Sequence, residues 1–321
     1  MEMTTLGNTG LEISRLGTGL AEIGKYELAQ DDVEVAGRVL GAALDSGVNF
    51  LDTAACYGNS EELVGRAVSH RRDEYVLATK CGHATGGYTG RPWTAQTITD
   101  SIDRSLARLN TDHLDLVQLH SCDVGVLGRG EAAEALLKAR DAGKTRFVGY
   151  SGDDEAARVA IESGVFETLQ TSFSLVDQQA RTKLFPLAEK QGMGIIVKRP
   201  IANGTWGAES SPSNYATEYF RRARLMADMG PIPGAPGDRI LLALGFIFAH
   251  ADGHRNRGHR KPGPYARQHR PSRPSPHLRR NGTGITPALR RVGRRLGGPG
   301  VDRITRALYT PQVCGRKGGR S

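Results

Sequence analysis

Asp52, Tyr57, Lys80 and His120 are the residues of this 321-residue chain whose types and positions could together do chemistry. A phenol with an ordinary pKa near 10 is a poor acid at neutral pH. A nearby ammonium favours the phenolate and lowers that value, while a carboxylate keeps the lysine charged and in place. A histidine can donate a hydrogen bond to a substrate carbonyl and fix its orientation. The set suits protonation of an oxygen while hydride arrives at the adjoining carbon. Singly, each has a plainer reading: Asp52 as a loop or cap acid, Tyr57 as a half-buried aromatic, His120 as a core histidine. Lys80 is the odd one, because lysine is rarely buried without a partner. Four complementary groups at three successive strand ends make the joint reading the stronger one. Cys56, Cys81 and Cys122 lie within two residues of members of the set, and with His120 they could ligate zinc. Adjacent strand positions point oppositely, so Cys81 should face away from Lys80; small packing residues and no metal are the expectation.

The elements that must position these groups follow from periodicity. A hairpin is predicted over 4–14 and a short strand over 16–20. Apolar residues at helical spacing then predict a helix over 33–44. Strands over 48–52, 75–80, 114–120, 146–151, 168–172 and 194–198 alternate with helices over 61–68, 94–109, 130–142, 154–163, 179–191 and 238–250. Seven strands, each followed by a helix, predict parallel βα units: an α/β fold of the (β/α)8 TIM-barrel type, one strand short. Alternation puts Val76, Ala78 and Lys80 on one face and Leu114, Leu116, Gln118 and His120 on one face, both pointing into a barrel at its mouth. A doubly wound sheet is the runner-up. Against it, Gly17-Thr18-Gly19 lacks the third glycine and the ribose-binding acid of a dinucleotide fingerprint.

Charge divides the chain in two. Residues 251–321 hold 18 of the 43 Lys and Arg and 2 of the 34 Asp and Glu, a local +16. Residues 1–250 therefore carry 25 against 32, or −7, the balance of an ordinary cytoplasmic enzyme. No apolar run reaches the roughly 18 residues of a membrane span, and the N-terminus has no signal-peptide core. The four cysteines show no CxxC spacing and no disulfide-framework density.

Residues 1–250 resemble the aldo-keto reductase family. The resemblance is carried by LGNTGLEISRLGTG, GVNFLDTAACYGNSEELVG, VLATKCG, LDLVQLH, FVGYSGD, LQTSFSLVD and IIVKRPIANG, in family order and at family-like spacing. It implies NADP(H) as cofactor, a small-molecule aldehyde or ketone as substrate, and a catalytic tetrad of Asp52, Tyr57, Lys80 and His120 with Tyr57 the general acid. It implies that Gly19, Ser151 and Gln170 help hold the cofactor, Ser151 and Gln170 at the nicotinamide carboxamide. The loop of Lys198, Arg199, Pro200, Ile201 and Gly204 would lie along the pyrophosphate. Two departures stand out: Gly152 where many members have an asparagine, which would remove one carboxamide contact, and Lys198 where some have an aromatic residue. Substrate identity and oligomeric state are not readable; the loops over 82–92 and 205–238 offer only Trp93 and Trp206 as pocket chemistry.

The resemblance also implies an eighth strand, a Gly-Thr loop and a final helix after residue 250, and none is visible. Residues 251–321 form a second, Arg/Pro/Gly-rich unit expected to stay disordered, because it has too little apolar surface to offset ordering entropy. It could bind nucleic acid through its arginines or be a neutral extension. A third reading is a shifted frame. Read one nucleotide later, the codons allowed for residues 251–269 permit PTVTAIVGTANPGHMRANI, a strand, a Gly-Thr loop and a helix start. The segment after His250 is therefore expected to derive from a frameshift, and the polypeptide to bind NADPH weakly, with impaired activity. The coding DNA across codons 249–252 checks this directly.

Overall fold

The computed structural model describes residues 1–25 and 32–253. The basic segment, with the readings of it given above, lies outside the described residues beyond Gly253. Strands β1 (Met3–Thr5) and β2 (Glu12–Ser14) form the N-terminal antiparallel hairpin. Seven strands follow: β3 (Thr18–Gly19), β4 (Phe50–Asp52), β5 (Val76–Cys81), β6 (Leu114–His120), β7 (Thr145–Ser151), β8 (Thr168–Ser172) and β9 (Gly194–Lys198). They pair in parallel, in sequential order, from β3 to β9. The sheet curls until its two outer strands line one cavity of about 310 Å³, shared by Thr18 and Gly19 from one edge and residues 195–198 from the other. Among the described residues no strand lies between them, so this is an open seven-stranded α/β half-barrel of the TIM type.

Helices α1 (Ala21–Lys25), α2 (Val33–Asp45), α3 (Ser60–Val68), α4 (Ala95–Leu109), α5 (Val124–Arg129) and α6 (Glu131–Asp141) cover the first half. Helices α7 (Asp154–Glu162), α8 (Gln179–Lys183), α9 (Phe185–Lys190), α10 (Thr217–Ala227) and α11 (Arg239–Gly253) cover the rest. Helix α2 buries Ala36, Val39, Leu40, Ala43 and Leu44, an i, i+3, i+4 stripe against the sheet. Thr94 caps α4 by accepting the Thr97 amide at 3.2 Å, and Asn110, at φ +50°, ends it. None of the described helices is long and apolar enough to cross a membrane.

Several boundaries differ from the sequence reading for identifiable reasons. The helix over 179–191 is two helices broken at Leu184, because Pro186 has no amide to continue the first. Helix α5 arises where Asp123 caps the Val126 amide at 2.8 Å and Gly130 ends the six-residue helix. Helix α10 occupies part of 205–238, which the sequence reads as loop. Inside the curl, Phe50, Val76, Ala78 and Leu116 pack with Leu6, Leu11 and Ile13. The hairpin thus plugs the N-terminal end of the strands. Each such large side chain contributes about 1.5–3 kcal/mol on burial. With one end sealed, the other is left for a site.

Candidate active site

The strands' C-terminal ends bring polar side chains to the inner face. Asp52 ends β4, Lys80 precedes the last residue of β5, and His120, Ser151 and Lys198 end β6, β7 and β9; Gln170 sits in β8. Tyr57 lies on the loop from β4 to α3. That loop is fixed by contact with α1: a Cβ on Gly24 would lie 1.8 Å from the Tyr57 carbonyl, and one on Gly58, at φ +59°, would lie 2.1 Å from the Gly24 carbonyl. Only glycines allow the two backbones this close.

Lys80 Nζ donates to both Asp52 oxygens at 2.8 Å and to the Thr53 carbonyl at 2.8 Å. It lies 4.9 Å from the Tyr57 ring centre. Tyr57 and Lys80 are each 2 % exposed. Burial works against the Lys80 charge, but Asp52 and Tyr57 outweigh it and the ammonium's pKa rises. For Tyr57 burial raises the pKa, Lys80 lowers it, and burial wins. The expectation of an acidified phenol is therefore corrected in sign: the resting hydroxyl holds its proton more tightly than usual.

The His120 ring stands edge-on to Tyr57 at 5.6 Å between centres, with its Nδ1 3.3 Å from Cys56 Sγ. His83 packs edge-on against both His120 (5.2 Å) and Trp93 (4.9 Å). This aromatic wall escaped sequence reasoning at His83, whose one signal is its place three residues after Lys80. Burial pushes the Cys122 thiol up to about 12 and raises that of Cys81. Among the described residues no group of three or more His, Cys, Asp or Glu could hold a metal ion.

Ser151 Oγ donates to Gln170 Oε1 at 2.8 Å, and Gln170 Nε2 donates to Asp52 Oδ2 at 2.8 Å. Gly19 is in register with Asp52, with open space where a Cβ would project. Gly19, Asp52, Gln170, Lys198 and Pro200 line the same cavity. Ile201 instead packs with Leu175, Val176, Ala223 and Ala243, against α10 and α11. Arg199, at φ +59°, turns its side chain toward Asp153, Ser172 and Tyr219. Gly204, at φ +72°, completes the loop.

Gly152 has a local cause. A Cβ there would lie 2.5 Å from the buried Tyr150 ring, whose hydroxyl donates to the Cys122 carbonyl at 2.7 Å. Restoring an asparagine by Gly152→Asn is therefore expected to overpack the site, destabilising by about 1–3 kcal/mol without tightening any cofactor. Urea unfolding midpoints check this; an unchanged midpoint means the ring yields.

Residues 15–230 match the model of the Aldo/keto reductase family. L-galactose dehydrogenase from Arabidopsis thaliana is 31% identical over 226 residues, covering 66% of this chain and 69% of that protein. The NADH-specific methylglyoxal reductase of Escherichia coli (strain K12) is 27% identical, over 64% and 68% of the two chains. Among solved structures, the aldo-keto reductase AKR11C1 from Bacillus halodurans (holo form) superposes with TM-score 0.65 at 27% identity, covering 78% of this chain and 83% of that one. A parallel half-barrel with this polar mouth, matched over two thirds of its length, belongs to the aldo/keto reductase family.

Proposed function

We propose that this chain reduces aldehydes or ketones to alcohols with a reduced nicotinamide dinucleotide, NADPH, and that Tyr57 is the general acid. The observation that carries the reading is a buried phenol against a carboxylate-paired ammonium at the convergence of adjacent strand ends. The residues present fit the cofactor. Ser151 Oγ and Gln170 Oε1 retain lone pairs for a carboxamide NH₂. Asn203, in the loop after β9, is buried with both amide atoms unpartnered. Such a group is satisfied by a polar ligand more readily than by apolar packing. Lys198 brings a cation to the cavity that Gln170 and Asp52 also line.

The bound cofactor supplies hydride to the carbonyl carbon. The protein must then place the carbonyl and deliver one proton to its oxygen. His120, edge-on to the Tyr57 ring, orients that oxygen by hydrogen bonding. Tyr57, held protonated by burial, gives up its proton as negative charge develops on the oxygen. The Lys80 ammonium then faces a phenolate instead of a neutral phenol, so its attraction is stronger in the transition state than at rest. Asp52 keeps that ammonium charged and aimed.

The test is oxidation of NADPH, and of NADH in parallel, by the purified full-length chain with a panel of aromatic and aliphatic aldehydes and ketones. One alcohol formed per cofactor consumed is expected. No carbonyl-dependent oxidation of either cofactor would end the reading.

A further inference from the structure

One carboxylate after β7 serves two cations. Asp153 Oδ2 is 3.1 Å from both Lys198 Nζ and Arg199 Nη1. Its Oδ1 accepts the Ser172 amide at 2.8 Å and the Thr171 hydroxyl at 3.0 Å. Beyond Arg199, the Tyr219 hydroxyl donates to Asp177 at 3.0 Å, and Asp177 faces Arg222 at 3.8 Å. Asp52 and Lys80 balance one another. Lys198 and Arg199 therefore share the single Asp153 carboxylate between them. Lys198 lines the cavity between the two outer strands with Gln170, Asp52 and Gly19, while Arg199 lines a separate cavity behind β8 with Asp177 and Arg222. Its backbone is in register with Ser172 on the strand that also carries Gln170.

We propose that Lys198 makes the site select the reduced over the oxidised nicotinamide cofactor, its ammonium repelling the cationic oxidised ring and sparing the neutral reduced one. The inference rests on the reading above, in which Ser151 and Gln170 hold that ring. The two cofactor forms differ by one unit of charge, all of it on the ring. A cation beside the ring thus acts on the ratio of their affinities, whereas contacts to the phosphates act on both alike. At an effective dielectric near 20, two unit charges about 8 Å apart shift such a ratio by roughly thirtyfold; partial compensation by Asp153 brings this to about three- to tenfold. The consequence is direction: oxidised product is released and the chain works as a reductase. Burial is the main influence on the Lys198 pKa, bringing it down to about 8 against the pull of Asp153, with Arg199 and Lys80 also lowering it. Neutral pH keeps the ammonium charged.

The test is titration of the full-length chain with NADPH and with NADP+ at pH 7 (or NADH and NAD+ if these bind tighter), followed by calorimetry. In Lys198→Gln the ratio Kd(NADP+)/Kd(NADPH) is expected to fall by about three- to tenfold, and in Lys198→Arg to stay near wild type. Lys198→Met, an apolar chain of similar length, removes the same charge, and its ratio should fall likewise. A ratio unmoved in Lys198→Gln while both forms still bind overturns the proposal. So does an unmoved ratio in Lys198→Met, which decides the matter if Lys198→Gln does not fold. Failure of the wild-type chain to bind either form would instead remove the cofactor reading itself, and this proposal with it.

Discussion

Tyr57→Phe is expected to lower kcat for aldehyde reduction by about 10²- to 10⁴-fold while leaving cofactor affinity within about twofold. The substitution removes one hydroxyl and keeps the ring, so the edge-on contact with His120 and the Lys80 cation over the ring face both survive. What disappears is the proton and the oxygen that would bear charge next to Lys80. Lost rate with intact binding is the signature of an interaction made only in the transition state. The same group sets a pH dependence. An acid catalyst works while protonated, and burial lifts the Tyr57 pKa above its ordinary 10.0. The rate should hold through neutral and mildly alkaline pH, and any Tyr57-linked decline should begin only above pH 10. Rapid single-turnover measurements on the two proteins decide it. Equal rates, or a Tyr57-dependent decline centred well below pH 10, would remove this residue from the chemistry.

Much of this geometry is legible in the sequence because strand alternation is rigid. Lys80 follows Val76 and Ala78, and His120 follows Leu114, Leu116 and Gln118, at spacing two, so once 75–80 and 114–120 are read as strands their side chains must share the inner face. The loop after β9 is different. Arg199 and Ala202 are in the left-handed region without being glycines, and no local rule foretells that Arg199 turns from the cavity that Lys198 lines. Ile201 turns away because α10 and α11 offer it an apolar bed, and α10, itself without Gly or Pro, is hidden in the sequence by the Gly and Pro that flank it on both sides. Trp93, itself at φ +67°, reaches His83 across a turn whose register only the folded chain defines. The sign of the Tyr57 shift depended on burial, a quantity with no sequence signal at a single loop residue. The seven-strand reading holds because each βα unit is local, and the rule of sequential parallel neighbours did the rest.

Lys80→Met is expected to cost about 3–5 kcal/mol of stability, far more than losing an exposed pair. The reason is what remains. Asp52 has a side chain 8 % exposed, and without Lys80 its carboxylate would keep only Gln170 at 2.8 Å and a long 3.5 Å contact from Gln118. Two amides do not replace an ammonium that bonds both oxygens. The double variant Asp52→Asn/Lys80→Met removes both charges and leaves neutral groups of similar shape, so most of the lost stability should return. Activity should not: Lys80 is the charge that most stabilises a phenolate at Tyr57, and it is gone. Urea unfolding midpoints for the single and double variants, alongside their reduction rates, separate folding from chemistry. By contrast Arg158→Ala, which breaks solvent-exposed pairs to Glu155 and Glu162 on α7, should leave the midpoint where it is. A double variant no more stable than the single would mean that Lys80 supports the barrel by packing alone. A double variant that still reduces carbonyls would mean that the proton comes from elsewhere.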